Sequence, residues 1–300
     1  MPLMSAFRSE FGFRIKKKRR VRDVYRITGT DGKDYCYKPF SFPEEEVAFL
    51  ARINLFLTGK GYRYTPRLAA PEGDKLWTCH RGKYWLLTNW VKGRHPNYRN
   101  PSHFRKGLRT LAKFHNQAEG YDVEGAPSNR VRYDQMLRLP AEYRKEITTY
   151  PELNGFLRYC ERGEELLADP AVERLMATER KAGAFVHGDY NYPNVVLDRS
   201  RRLHLIDMEN ASLNVRIMDL AHILHRNCPW NADGMMTAIA EYDRKRPLGP
   251  DERFVLYALL VLPYPLVRAI RMYDWRYPRY VALPSYKRQE AFAQALLGML

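Results

Sequence analysis

The most chemically distinctive segment of the chain runs from His187 to Asn194 and reads His-Gly-Asp-Tyr-Asn-Tyr-Pro-Asn. Asp189 lies five residues before Asn194, and Asp207 follows 13 residues after Asn194 at the end of an apolar run. A carboxylate such as Asp189 can accept the proton of an attacking hydroxyl, whereas an amide oxygen and a second carboxylate can hold a hard cation. These residue types at this spacing favour phosphoryl transfer, in which catalysis is mostly positioning and charge neutralisation.

Phosphoryl transfer also needs a cation on the nucleotide phosphates, and Lys38 is the candidate because it lies on a predicted strand of the β-rich region. An anionic partner would keep this lysine ordered. Glu46 is the preferred partner because it leads a helical stripe that continues through Leu50, with Glu45 and Glu44 as alternatives. Taken alone, Lys38 would be an ordinary strand lysine, and three acids at a helix start are common. The hypothesis therefore depends on the combination of residues.

The elements that must position these residues differ between the two parts of the chain. Hydrophobic alternation and the Asp31-Gly32 turn predict strands and hairpins before residue 91, with one helix beginning near Pro43 and ending at Gly59. On the strand that carries Lys38, Tyr35 and Tyr37 are expected on one face and Cys36 and Lys38 on the other. The predicted strands are residues 13–20, 21–28, 34–40, 76–79 and 83–90.

Helical periodicity dominates from about residue 100. One small hairpin, predicted from residues 195–197 and 203–206, interrupts it. The predicted helices include residues 104–115, 156–176, 220–224, 235–242, 254–272 (interrupted by prolines) and 288–300. We therefore predict an α+β fold with two lobes: a β-rich domain over residues 1–91 and a helical domain over residues 92–300.

Composition excludes several classes of protein. The 300 residues are 45% hydrophobic and 28% charged, which is typical of a globular chain and not of a disordered or collagen-like one. The longest uncharged apolar stretch, residues 254–267, is too short to span a bilayer, and the first 13 residues do not resemble a signal peptide. The four cysteines form no C-x-x-C pair, which argues against a zinc site or a disulfide framework and fits a reducing cytosol.

Charge is distributed unevenly along the chain. The net charge is +16, and the first 100 residues hold 21 basic and 9 acidic side chains, a net of +12. Such a basic region favours an anionic partner, whether nucleotide phosphates, nucleic acid or an acidic surface. Ordinary surface charge is the alternative.

The motif His-Gly-Asp-x-x-x-x-Asn, followed by Ile206-Asp207 and by Asp219-Leu220-Ala221, resembles the aminoglycoside phosphotransferase and choline kinase-like branch of the protein-kinase-like fold. Within that branch, the chain is most similar to the bacterial spore-coat-associated kinase-like proteins. The resemblance extends over residues 13–224. It includes a hinge-like stretch at residues 83–94, the Leu-Ala-Lys-Phe-His sequence at 111–115 and the segment 216–221.

The resemblance implies a role for individual residues, with ATP and Mg²⁺ as cofactors. Asp189 would be the catalytic base, Asn194 and Asp207 the metal ligands, Lys38 the phosphate-contacting lysine and Glu46 its partner. His187 would hold the loop and Asp219 would brace it by hydrogen bonds. The backbone of four hinge residues would face adenine: Thr88, Asn89, Trp90 and Val91.

Three features depart from the family pattern. Residues 17–22 stand where a glycine-rich loop would connect the first two strands. Glu209 adds a carboxylate close to Asp207, which could change the number of metal ions. Pro193 stiffens the loop before Asn194.

Together these observations predict a soluble, cytoplasmic kinase that binds ATP in its cleft and transfers the γ-phosphoryl group to a hydroxyl acceptor, with a small molecule favoured over a protein. An alternative is a spore-coat structural protein that keeps the kinase fold, partners with other coat proteins and has little activity. A third hypothesis, a basic nucleic-acid-binding protein, ranks last because no base-reading motif is present. No membrane partner is expected.

Overall fold

A computed structural model describes residues 2–71, 73, 75–272 and 283–299. Among these residues, the first part of the chain forms an antiparallel five-stranded sheet, in which the strand that comes fifth along the chain lies between the third and the fourth. The helix α1 (Pro2–Phe11), which the sequence analysis did not anticipate, precedes it. The strands are β1 (Ile15–Val21), β2 (Val24–Gly29), β3 (Asp34–Phe40), β4 (Thr78–His80) and β5 (Lys83–Asn89). The predicted strands are thus present: β3 has the predicted ends, and the ends of the other strands differ from the prediction by at most three residues.

The two faces of β3 separate the core from the candidate site. Tyr35 and Tyr37 are buried in an apolar cluster with Ile27 and with Phe7 from α1. The Phe7 and Tyr37 rings meet edge to face with centroids 4.9 Å apart. Cys36 and Lys38 point to the opposite face and line a cavity. The alternation predicted for this strand is confirmed.

The helix α2 (Glu44–Gly59) follows directly after β3. It begins after Pro43 with three glutamates in its first turn, where negative charge stabilises the positive end of the helix dipole. Val47, Leu50 and Ile53 are buried on one face and anchor the helix within the β-rich part of the chain. The same packing fixes the position of Glu46, which is only 6% exposed.

A second hairpin, β7 (Val195–Leu197) and β8 (Leu203–Leu205), belongs to the same compact unit as the sheet. Leu205 N donates to the carbonyl oxygen of Tyr64 at 2.7 Å, and Leu197 exchanges backbone hydrogen bonds with Arg94. Gly93 permits this approach, because a Cβ there would lie 2.3 Å from the Leu197 carbonyl oxygen. The first unit comprises Met1–Pro96, Glu124–Arg130 and Tyr192–Asn210. The last two segments lie within residues 92–300, the range predicted for the helical domain, since that prediction placed a single boundary along the chain.

The second unit comprises Asn97–Val123, Val131–Asn191 and Ala211–Leu300 and is mainly helical. Two short strands, β6 (Phe185–Val186) and β9 (Ser212–Leu213), pair within it. Its helices are α3 (Pro101–His115), α4 (Gln135–Ile147), α5 (Leu157–Leu167), α6 (Pro170–Lys181), α7 (Ile217–Asn227), α8 (Ala232–Asp243), α9 (Pro250–Val261), α10 (Tyr264–Met272) and α11 (Tyr286–Leu296). The predicted succession of a β-rich region and a helical region is confirmed.

One predicted helix, residues 156–176, is wrong as a single element. The segment divides into α5 and α6, and the break lies at Ala168 and Asp169. Asp169 accepts a hydrogen bond from Ala171 N and Pro170 occupies the first turn of α6, an arrangement that starts a new helix. The prediction for 288–300 corresponds to α11, and its last residue, Leu300, lies outside the described residues.

Within the described ranges, no single helix is long and apolar enough to cross a membrane. The pair α9 and α10, bent by 50°, passes the same test when its two members are joined. Residues 255–261 of α9 are all buried, as in the core helix of a globular unit.

The sheet core gives a first testable expectation. Ile27 is fully buried in the aromatic cluster, so Ile27→Ala should lower the free energy of unfolding by about 2–5 kcal/mol through lost burial and an unfilled cavity. Arg19→Ala, at an exposed position of β1, should change it by less than about 0.5 kcal/mol. Urea unfolding followed by circular dichroism measures both, and equal losses would contradict this assignment of the core.

Candidate active site

A cavity of about 290 Å³ opens within the first unit, and its walls carry most of the residues singled out in the sequence. The turn between β1 and β2 forms one wall, and β3 with the end of β5 forms another. The ends of the β7–β8 hairpin complete it. The predicted site residues in its lining are Lys38, Thr88, Asn89, Trp90, Val91, Asn194 and Asp207.

Lys38 is held in this cavity by carboxylates from two distant parts of the chain. Its ammonium hydrogen-bonds to Asp207 and lies 2.7 Å from Glu209 Oε2 and 3.6 Å from Asp23 Oδ2. Burial alone would lower the pKa of Lys38, but Asp207 and Glu209 together hold that pKa above its usual value. Lys38 therefore stays charged beside Asp207.

The predicted partner of Lys38 is wrong. Glu46 does not contact this lysine, because its carboxylate binds Arg130 at 2.6 Å, a residue 84 positions away. Both side chains of that pair are less than a tenth exposed. The stripe on α2 correctly predicted that Glu46 faces inward, but helical spacing carries no information about a partner from a remote segment.

The hinge stretch has most of its backbone donors already engaged. Asn89 N donates to the Arg67 carbonyl oxygen and Trp90 N to the Asp34 carbonyl oxygen, both at 2.9 Å. Val91 N donates to no atom of the described residues, and Val91 lines the cavity. The hinge stretch therefore borders the cavity through Val91, whose backbone N–H is not engaged in the sheet.

Asn194 and Asp207 are brought together by the β7–β8 hairpin. Ile206 N donates to the Asn194 carbonyl oxygen at 2.9 Å, so the residues at the two open ends of the hairpin are neighbours. Asp207 has a φ of 64°, in the left-handed region that non-glycine residues rarely adopt and that is often found at functional sites.

The donor set fits a magnesium ion that is bound together with a nucleotide. Among the described residues, no group of three His, Cys, Asp or Glu side chains is arranged to hold a metal. Mg²⁺ commonly takes only one or two protein carboxylates, with phosphate and water oxygens completing its shell. The carboxylates of Asp207 and Glu209 and the amide of Asn194 line one cavity and meet this requirement.

In the second unit, Asp219 braces the segment that carries Asp189. Its two carboxylate oxygens accept hydrogen bonds from His187 N at 2.8 Å and Gly188 N at 2.9 Å. Gly188 has a φ of 80°, which a glycine adopts without strain. His187 is fully buried, and its Nδ1 accepts a longer hydrogen bond, 3.4 Å, from Asp189 N. The contacts that the resemblance implied for Asp219 are present.

Burial and hydrogen bonding act in opposite directions on Asp219. Its side chain is 1% exposed, and burial by itself would raise the pKa of the carboxyl. Hydrogen bonds and charge interactions with His115 and the bond from His187 N outweigh burial and hold the pKa of Asp219 below its usual value. Asp219 is therefore an ionised carboxylate that accepts hydrogen bonds at both of its oxygens.

Arg226 contacts the candidate base Asp189 but is not among the residues that the sequence predicts for the site. Its Nη1 lies 2.5 Å from Asp189 Oδ1, and its Nε donates to the Tyr264 hydroxyl at 3.2 Å. Spacing could have indicated Arg226, because it lies seven residues after Asp219 on α7 and the two side chains therefore lie on one helix face. His222 lies on the same helix, and burial lowers its pKa to about 4, so it is neutral at pH 7.

Comparison with known proteins gives a family match over most of the chain. The family model described as "Phosphotransferase enzyme family" matches residues 17–254. That match includes every residue assigned above to the candidate site.

Solved structures of phosphotransferases share the fold. An aminoglycoside phosphotransferase from Alicyclobacillus acidocaldarius has a TM-score of 0.74 at 19% identity, covering 95% of this chain and 92% of that one. AMP-bound spectinomycin phosphotransferase has a TM-score of 0.63 at 15% identity, covering 99% and 97%. An amicoumacin kinase in complex with AMP-PNP, Ca²⁺ and Ami has a TM-score of 0.60 at 13% identity, covering 99% and 92%. These likenesses establish the two-lobed, kinase-like fold that the sequence predicted.

Replacing the Asp219 carboxylate should destabilise the protein in a pH-dependent way. Asp219→Asn puts an amide N–H against a backbone donor and should cost about 1.5–3 kcal/mol at pH 7, the range for a hydrogen bond to a charged group. Because folding lowers the pKa of Asp219, its contribution is complete above the unfolded pKa of about 3.9 and is lost as pH falls through the folded pKa.

Urea unfolding of wild type and variant at pH 7 and pH 3 measures this difference. The partly exposed Asp251, paired with Arg174 at 2.7 Å, supplies the control Asp251→Asn, which should cost less than about 1 kcal/mol. A difference between wild type and Asp219→Asn that is as large at pH 3 as at pH 7 would show that the ionised carboxylate is not what stabilises the loop.

Proposed function

The chain belongs to the phosphotransferase enzyme family, and from this premise we propose that it transfers the γ-phosphoryl group of ATP to a hydroxyl group of a small molecule. The observation that carries the proposal is the contact of Lys38 with Asp207 and Glu209 in the wall of one cavity that Asn194 also lines. A cation beside oxygen donors for a metal is the arrangement that a metal-bound nucleotide phosphate requires. The hinge stretch supports the adenine end of the nucleotide through Val91 N.

Each residue has a defined part in this proposal. Asp189 accepts the proton of the acceptor hydroxyl, whose oxygen attacks the γ-phosphorus as the bond to the bridging oxygen breaks and ADP leaves. Arg226 Nη1 donates to Asp189 Oδ1 and so holds this carboxylate in place. Lys38 binds the nucleotide phosphates. When bound through Asn194 and Asp207, Mg²⁺ would neutralise phosphate charge, and Glu209 could contribute a further oxygen.

The acceptor is proposed as a small molecule because the structurally similar proteins act on small molecules. Their names specify a spectinomycin phosphotransferase and an amicoumacin kinase. Incubation with γ-labelled ATP and Mg²⁺ against a panel of hydroxyl compounds tests the reaction class directly. Label in a compound of the panel supports the proposal, whereas a protein that binds no nucleotide with Mg²⁺ would overturn it.

The proposed base should be separable from nucleotide binding. Asp189→Asn should lower kcat by about 10²–10⁴-fold, because the group that accepts the proton is lost. The dissociation constant for Mg·ADP should stay within about twofold of the wild type, since Asp189 does not line the nucleotide cavity. Steady-state kinetics and calorimetric titration give the two numbers, and an unchanged kcat would remove Asp189 from the mechanism.

Replacing the proposed metal ligand Asp207 should, in contrast, change the affinity for Mg·ADP. Asp207→Asn should weaken Mg·ADP binding by about tenfold or more, yet weaken metal-free ADP binding less, because an oxygen ligand and a negative charge are both lost. Glu44→Gln alters a carboxylate of the same unit that pairs with Lys75 outside the cavity, and it should change neither affinity. Equal weakening with and without Mg²⁺ would exclude Asp207 as a ligand.

A further inference from the structure

One buried arginine connects α2 to the segment that follows Asp207. Arg130 ends a short 3₁₀ helix, Ser128–Arg130, and is 3% exposed. Its Nε donates to Glu46 Oε2 at 2.6 Å, and its Nη1 donates to the carbonyl oxygen of Glu209 at 2.7 Å. The guanidinium also lies 4.9 Å from the centre of the Phe42 ring. These contacts all lie within the first unit.

Glu209 connects Arg130 to the cavity that holds Lys38. Arg130 holds the backbone of Glu209, and the Glu209 carboxylate lies 2.7 Å from Lys38 Nζ. Asp207, two residues earlier, contacts the same ammonium. The guanidinium of Arg130 thus fixes the peptide segment from which the Asp207 and Glu209 carboxylates project into the cavity.

Arginine is suited to this connection and lysine is not. The guanidinium presents several N–H donors in a fixed planar fork, so one side chain can serve a carboxylate and a carbonyl in different directions. A lysine ammonium is a compact charge on a flexible stem and does not reproduce that geometry. Burying an ion pair adds little net stability compared with apolar packing, so the distinctive contribution of the Glu46–Arg130 pair is geometric.

We propose that Arg130 is a positioning residue for the metal and nucleotide site. The Glu46–Arg130 pair orients the 207–209 segment so that its two carboxylates and the Lys38 ammonium can contact the same metal-bound nucleotide. In this arrangement α2 acts on the site through Arg130 and not through Lys38. The inference rests on the proposed function, since it assumes that Asp207 and Glu209 face a metal-bound nucleotide.

The test uses Arg130→Lys in the full-length protein and calorimetric titration with ADP, with and without Mg²⁺. The variant keeps the positive charge beside Glu46 and loses the fork that reaches the Glu209 carbonyl. Mg·ADP affinity should fall about tenfold, while metal-free ADP affinity should stay within about twofold of the wild type. A merely structural role would move the melting temperature but not this ratio.

The chain contains a closely matched control. Arg216 and Glu179 form another buried pair, with side chains 8% and 2% exposed and Nη2 2.6 Å from Oε1, and neither lines the nucleotide cavity. Arg216→Lys should lower the melting temperature by a similar amount and leave both ADP affinities unchanged. The proposal is overturned if the ratio of Mg²⁺-bound to metal-free affinity is the same in Arg130→Lys as in the wild type, or if Arg216→Lys lowers that ratio equally.

A second variant keeps the proposal testable if Arg130→Lys does not fold. Glu46→Gln retains a hydrogen-bond acceptor for Arg130 Nε and removes only the charge, so it should lower the same affinity ratio by about threefold. An unchanged ratio in Glu46→Gln would then overturn the proposal. A wild type whose ADP affinity does not increase with Mg²⁺ would instead contradict the proposed function, and this inference would fail with it.

Discussion

A lysine that is mostly withdrawn from water organises the first unit. The side chain of Lys38 is 12% exposed, and a charge in such a place is stable only beside opposite charge. Its partners come from the β1–β2 turn, through Asp23, and from the end of the β7–β8 hairpin, through Asp207 and Glu209. Segments almost 170 residues apart in the chain must therefore meet in one unit, and the cavity forms where they meet.

The second unit also contains a buried charge that needs partners, but this charge is negative. Asp219 is a buried carboxylate, and backbone N–H groups of His187 and Gly188 satisfy it together with the ring of His115. Because the partners are main-chain groups, the carboxylate fixes the path of the backbone that leads into Asp189. A buried charge thus sets the geometry of the loop without taking part in the proposed proton transfer.

Buried arginines extend this principle in a chain of net charge +16. Arg216 engages Glu179 at two nitrogens and also donates to Glu119 and to the His115 carbonyl oxygen. Arg130 joins Glu46 to the backbone at Glu209. In each case the planar fork donates to several segments in fixed directions. A few of the basic residues of this protein are therefore internal scaffolding, whereas β1 presents five consecutive exposed basic residues.

The sequence by itself determined the local features. Alternation along β3 separated Tyr37 from Lys38, because successive strand residues point to opposite faces. The acidic first turn marked the start of α2, and the spacing of Asp189, Asn194 and Asp207 favoured phosphoryl transfer. The resemblance of the motif around them indicated a phosphotransferase family, which the comparison confirmed. Closeness to the spore-coat-associated proteins stays a prediction.

Tertiary structure alone decided which charged groups are partners. Helical and strand periods report the face on which a side chain lies, but they carry no information about what another segment brings to that face. The pairing of Glu46 with Arg130, and of Lys38 with Glu209, therefore could not be derived from spacing. The same holds for the β7–β8 hairpin, whose place in the first unit depends on hydrogen bonds to Tyr64 and Arg94 more than 100 residues earlier. The partner of a buried charge is the oppositely charged group that the fold brings into contact with it, and only the folded chain specifies which group that is.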